Sequence, residues 1–283
     1  MLKKKKLEMI TFIIEILLVM LFASTFIACG GSSRQGIFDG DSFKGKMDLM
    51  GSIEWIEKNV KNGGNYTIII GKDESIPPIS LSYNNMQVNI TLKTSGAEHS
   101  VKYQNNLPHL PLISIGSGVT FTLENNVSLI GLPINGKSMI SINGGIFIMN
   151  GGSIRDNTTS DLGGGVYIED GIFTMNNGTI SGNTANRGGG VFVENGTFSM
   201  NNGIISGNNA FGSGVYVRNG KFFKSGSGGI IYGAEAPDGL ANNDYAVFQW
   251  YIRWDRGVIM QRPLTANEND AINTDTREGL VPG

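Results

Sequence analysis

Residues 166–190 read VYIEDGIFTMNNGTISGNTANRGGG, and near copies stand on both sides. Upstream is ISINGGIFIMNGGSIRDNTTSDLGGG at 140–165. Downstream are VFVENGTFSMNNGIISGNNAFGSG at 191–214 and a worn copy, VYVRNGKFFKSGSGGIIYGAEAPDG, at 215–239. Recurrence at a period of about 25 residues marks units that bury a face only against their neighbours. Inside one unit, apolar and polar residues alternate in short runs: Val166-Tyr167-Ile168, Phe173-Thr174-Met175, and Ile180 between Thr179 and Ser181. Alternation with period two selects strands, and no run is long enough for a helix. Three short strands and their turns fill one unit. The sequence therefore predicts an all-β parallel solenoid, one unit per coil, with equivalent residues stacked about 4.8 Å apart.

Stacking turns equivalent residues into columns. Phe147, Phe173, Phe198 and Phe222 form one; Met149, Met175 and Met200 a second; Ile154, Ile180 and Ile205 a third. All are expected to point inward, with the intervening Thr and Ser residues facing solvent. Asn150, Asn176 and Asn201, and again Asn157, Asn183 and Asn208, read as turn residues whose amides bond to the coils above and below. The Gly163-Gly164-Gly165 and Gly188-Gly189-Gly190 runs fit a corner that needs positive φ and close backbone approach.

The repeat extends upstream through Ile113–Gly118, Val88–Leu92 and Tyr66–Ile70, giving about seven coils over residues 63–233. An open solenoid end is a template for unwanted strand pairing unless covered. Residues 48–62 supply a short capping helix, with Leu49, Ile53, Ile56 and Val60 on one face, Ser52 able to cap it and Gly63-Gly64 to end it. Residues 234–283 leave the repeat, carry Phe248, Trp250, Tyr251 and Trp254, and are expected to form a C-terminal cap and tail.

Lys3 to Lys6, a nearly unbroken apolar run over residues 9–28, and Phe26-Ile27-Ala28-Cys29 have the form of a bacterial lipoprotein signal peptide, with the chain's one cysteine at the cleavage box. Cleavage after residue 28 and lipidation of Cys29 would tether the protein to a membrane through acyl chains. Residues 29–47, rich in Gly and Ser, read as a flexible tether. Loss of residues 1–28 leaves 18 basic and 22 acidic residues, a mildly acidic chain with no basic patch for nucleic acid.

GGGV at Gly163–Val166 and Gly188–Val191, each followed by FxxN at Phe173–Asn176 and Phe198–Asn201, resembles the repeat of the chlamydial polymorphic outer-membrane proteins. The lipobox, WIEKNVKNGGNYTIII, the Asn/Gly-rich coils and the degenerate tail are together similar to right-handed parallel β-helix (pectin-lyase-like) lipoproteins of spirochaetes. The resemblance implies a surface-associated protein of the cell envelope, at the outer membrane, with a structural or adhesive role and no catalysis. Its partners would be the membrane, through the lipid, and a glycan or a host or partner protein.

The same fold also houses carbohydrate-binding and polysaccharide-degrading enzymes, whose chemistry needs carboxylates converging from adjacent coils. Glu169 stacked on Glu194, followed by Arg218, is the acidic pair that the register produces. Tyr167, Phe192 and Tyr216 alternate with inward Val and Ile, which predicts an exposed aromatic strip beside that pair, suited to sugar rings or a partner surface. His99 and His109 lack metal-ligand spacing. The glycine runs lack the following helix that a phosphate cradle needs. No catalytic residue, metal or cofactor is assigned.

Overall fold

The computed structural model describes residues 35–104, 109–210, 213–224, 229–232, 247–253 and 258–264, the last two segments essentially as backbone. The leader, Cys29, Trp254 and the tail beyond residue 264 lie outside the described residues.

The described residues are all-β, a parallel β-solenoid of about six turns, with one short helix among them. Each regular coil lays down three strands, so the solenoid has three faces. The first face stacks residues 79–81, 113–116, 140–142, 166–168, 191–193 and 215–217. The second stacks 64–70, 88–94, 119–123, 146–149, 172–175, 197–200 and 221–224. The third runs from Glu74–Ile76 to Ile230–Ile231 through strands such as Ser153–Arg155 and Thr179–Ser181. Seven strands stack on the second face, so the seven expected coils correspond to six full turns between the first strand and the last.

Register is one to one where the repeat is clearest: Ile140 pairs with Val166, Phe147 with Phe173, Met149 with Met175, and Ile154 with Ile180. The predicted inward columns are the core. Phe147, Phe173 and Phe198 are fully buried, and Phe121, one coil earlier, joins their stack; successive ring centroids lie 5.9, 4.9 and 4.7 Å apart. Ring stacking adds specificity to burial that is by itself the main favourable term. The glycine corner divides its work. Gly163 and Gly188 have φ of 66° and 61°. Gly165 instead serves close approach, since a Cβ there would lie 2.7 Å from the carbonyl oxygen of Gly190.

At the N-terminal end, helix α1 (Leu49–Asn59) buries Leu49, Ser52, Ile53 and Ile56. Its N-cap is Asp48, not Ser52: the Asp48 carboxylate accepts from the Gly51 amide at 2.8 Å, and the Ser52 hydroxyl donates to the Asp48 carbonyl. The helix stops at Asn59, where Val60 turns to extended backbone ahead of the two glycines. Glu74 ties the cap to the coil, its buried carboxylate accepting from the first helical amide, Leu49 N, at 2.7 Å and from Gln35 at 3.2 Å. Burial pushes the Glu74 carboxyl above its usual range, against the lowering effect of those bonds.

Part of the expected tether is structured. Gly36–Asp39 and Ser42–Gly45 form an antiparallel hairpin, and Gly36–Asp39 pairs antiparallel with Gly64–Ile70. The edge of the first coil provides the reason: its free ladder groups need partners, and Ile37, fully buried, supplies the apolar anchor. At the other end, Val247–Gln249 pair parallel with Val215–Val217, and Val247–Arg253 pair antiparallel with Val258–Leu264, so a hairpin extends the first face.

Candidate functional site

The first and second faces meet at a bend that differs from coil to coil. Ile140–Met149 and Val166–Met175 run through it as single strands, whereas Val191–Val193 and Thr197–Met200 are separate strands. Register slips between Ile142 and Asn143 and again before Ile146, so Asn143 sits opposite Asp170. Bulges of this kind redirect side chains. The result is an open, polar depression of about 570 Å³ lined by Ser117, Asn143, Gly144, Glu169, Asp170 and Asn195.

The acidic column stands at this bend, and its two members have different partners. Glu169 is exposed and accepts from the Asn143 amide at 3.1 Å, with that amide oriented so that its nitrogen meets acceptors. Glu194, with 15% of its side chain exposed, pairs with Arg218 at 3.0 Å. Asp170 accepts from the Gly171 amide at 2.8 Å. The stacked carboxylates are therefore held by one neutral and one cationic neighbour, which offsets the repulsion a bare pair would suffer.

The aromatic strip is where the sequence reading fails. Tyr167, Phe192 and Tyr216 do stack, with centroids 5.8 and 5.1 Å apart, but Phe192 is fully buried and Tyr216 only 3% exposed. Leu162 packs against the rings, and the Arg187 guanidinium lies 5.6 Å from the Tyr216 centroid, a cation–π distance. Leu162 and Arg187 are bridged to each other, so successive corner excursions form a cover over the strip. Side chains that point out of the sheet are thus enclosed by a second layer, and no broad ring surface is available to a sugar. Burial, with help from the Glu194 and Glu169 carboxylates, pushes the half-buried Tyr167 phenol up to about 12, so it stays protonated at neutral pH.

Much of the remaining polar chemistry holds coils together. Asn176 donates to Asn150 at 2.9 Å, Asn201 to Asn176 at 2.8 Å, and Asn150 to the carboxylate of Glu124 at 2.9 Å. A second ladder is fully buried: the Asn183 amide donates to Asn208 and to the carbonyl of Ile154, and the Asn208 amide to the carbonyl of Ile180. It continues upward through Asn157 to Asn135, which donates to the Tyr103 hydroxyl at 2.8 Å. Asn135 and Tyr103 escape the sequence reading because they lie where the repeat has faded. His99 stands 3.8 Å from Asp73, and His109 is exposed at φ 125°. Among the described residues no three His, Cys, Asp or Glu side chains converge as metal ligands, and no helix is long and apolar enough to cross a membrane.

What the geometry defines is a class, the parallel β-solenoid with a helix and hairpin at its N-terminal end. Comparison with protein-family models, with curated proteins and with solved structures returned no match.

Proposed function

We propose that this protein is a lipid-anchored β-helix of the cell envelope whose coils act as a structural or adhesive surface and carry out no catalysis. The observation that supports this best is how the repeat uses its polar residues. Both asparagine ladders and the Glu194–Arg218 pair are directed from one coil to the next, the arrangement of a stiff spacer rather than of a reaction centre. The basic residues Lys3 to Lys6, the apolar run and Cys29 support anchoring. On this reading the protein is a right-handed, pectin-lyase-like lipoprotein of the spirochaete type, displayed at the outer membrane, with the membrane and a glycan or host protein as partners.

Metabolic labelling with a palmitate analogue tests the anchor. The parent chain should take up label and sediment with membranes, and Cys29→Ser should lose both; a variant still membrane-bound and labelled refutes the lipid anchor. Proteolysis of intact cells then reads exposure at the surface.

A second reading is favoured by one feature, the open depression in which Glu169 and Asp170 adjoin Asn143 and Asn195. It would make the protein a carbohydrate-binding or polysaccharide-degrading β-helix. A uronate-release and reducing-sugar screen over a polysaccharide panel decides between the two. Activity lost in Glu169→Gln or Glu194→Gln would replace the first reading with the second.

A further inference from the structure

The N-terminal hairpin carries an apolar feature that the coil-to-coil bonds leave unused. Phe43, on its outer strand, is 41% exposed and is the one aromatic among the large apolar side chains exposed on the described residues. The strand Ser42–Gly45 ends the sheet, where charged residues such as the neighbouring Lys44 and Lys46 protect an edge and an exposed ring is a liability. The ring has a fixed seat. It lies across the hairpin from Phe38, centroids 5.1 Å apart, and beside Gly36, where a Cβ would come within 2.8 Å of its edge. The second observation is covalent. Gln35, just before the first strand, follows Cys29 by six residues, and six fully extended residues span at most about 20 Å. Because the hairpin takes up residues 36–45, little chain is left to hold it away from a lipid on Cys29.

We propose that Phe43, backed by Phe38, inserts into the headgroup–acyl boundary of the membrane that holds the lipid on Cys29, so that the first coil sits against the bilayer and later coils lead away from it. The contact rests on the lipid anchor, and so on the first reading of the function. Aromatic rings with lysines beside them settle at that depth, the ring in the boundary and the ammonium groups reaching toward the phosphates. One ring binds a free bilayer weakly. A tether this short makes the contact intramolecular, at an effective concentration on the order of millimolar. Charge plays little part: Arg34, Lys44 and Lys46 balance Asp39, Asp41 and Asp48, and the exposed side of α1 carries Glu54, Glu57 and Lys58. A zwitterionic bilayer therefore suits this end as well as an anionic one. A second copy is the poorer occupant, because a specific interface needs about 1,000 Å² and a single exposed ring on an edge hairpin supplies far less.

The test uses the full chain, lipidated in cells and reconstituted into phosphatidylcholine vesicles with a nitroxide quencher placed just below the headgroups. Lipidation blocks the thiol of Cys29, the chain's one cysteine, so Phe43→Cys and Ile134→Cys each take a single environment-sensitive dye. Ile134, 79% exposed on the corner after Val127–Ile130, is the more exposed apolar position and serves as the control. The dye at 43 should be quenched about threefold or more relative to the dye at 134, and added salt should leave the difference in place. A dye at Lys46→Cys, which keeps both rings, should also be quenched, and adding Phe43→Ser should lower that quenching by about half or more. Equal quenching at 43 and 134, in a chain that takes the palmitate label and sediments with membranes, overturns the contact and leaves the anchor standing. A dye at 43 shielded from water yet indifferent to the lipid quencher gives the ring to a protein partner and overturns it too. A chain that takes no label removes the anchor, and the contact with it.

Discussion

The two asparagine ladders use the same residue at the same period, and they stand in opposite environments. Asn150, Asn176 and Asn201 bond side chain to side chain on the surface, ending on the Glu124 carboxylate. Asn157, Asn183 and Asn208 are fully buried, and their amides also reach backbone carbonyls, at Gly164, Ile154 and Ile180. Water can replace the outer bonds. It cannot replace the inner ones, where a missing partner leaves a backbone group unpaired at full desolvation cost. The same letter in a repeat therefore carries a small stabilisation in one column and a structural requirement in the other.

That contrast is open to direct attack. Asn183→Leu leaves the buried Asn157 amide without its acceptor and takes from the Ile154 carbonyl the side-chain donor it has beyond its strand pairing, and with one buried orphan at about 1–3 kcal/mol the expected loss is about 3 kcal/mol, read from the urea midpoint. Gly165→Ala, beside the same ladder, should cost about 2 kcal/mol by forcing adjacent coils apart, since its Cβ would also meet Ile180 at 2.9 Å. Asn176→Leu on the outer ladder should cost under about 1 kcal/mol. Glu124→Gln, which keeps an acceptor for Asn150 and removes its charge, should cost least, under about 0.5 kcal/mol. An Asn176 variant as damaged as the Asn183 variant would erase the distinction between the ladders.

The columns were legible because the period fixes which residues share a vertical line, and strand alternation fixes their side of the sheet. Phe173 and Met175 had to be inward together once Thr174 was outward. Alternation says nothing about what lies beyond the sheet. Tyr167, Phe192 and Tyr216 are outward as read and yet enclosed, because the corner segments bearing Leu162 and Arg187 fold back over them. The bend site was half legible for a related reason. Glu169 and Glu194 follow from register, but Asn143 reaches Glu169 only through a slip in pairing that leaves no mark in the letters. The N-terminal hairpin was missed because Gly36–Asp39 and Ser42–Gly45 are four-residue strands stabilised by the edge they cover, a tertiary cause with little local signature.

Vertical register is what every column, ladder and face depends on. Electron paramagnetic resonance between spin labels on the second face, by continuous-wave dipolar broadening for near pairs and by pulsed methods for far ones, measures it most directly, with one label fixed at Ser199 and the other moved through Thr174, Thr122, Thr91 and Thr67. The solenoid predicts a linear ramp of about 4.8 Å per coil, reaching about 24 Å at Thr67, five coils away. Distances that fail to grow with coil number, or that fold back toward Ser199, would contradict it.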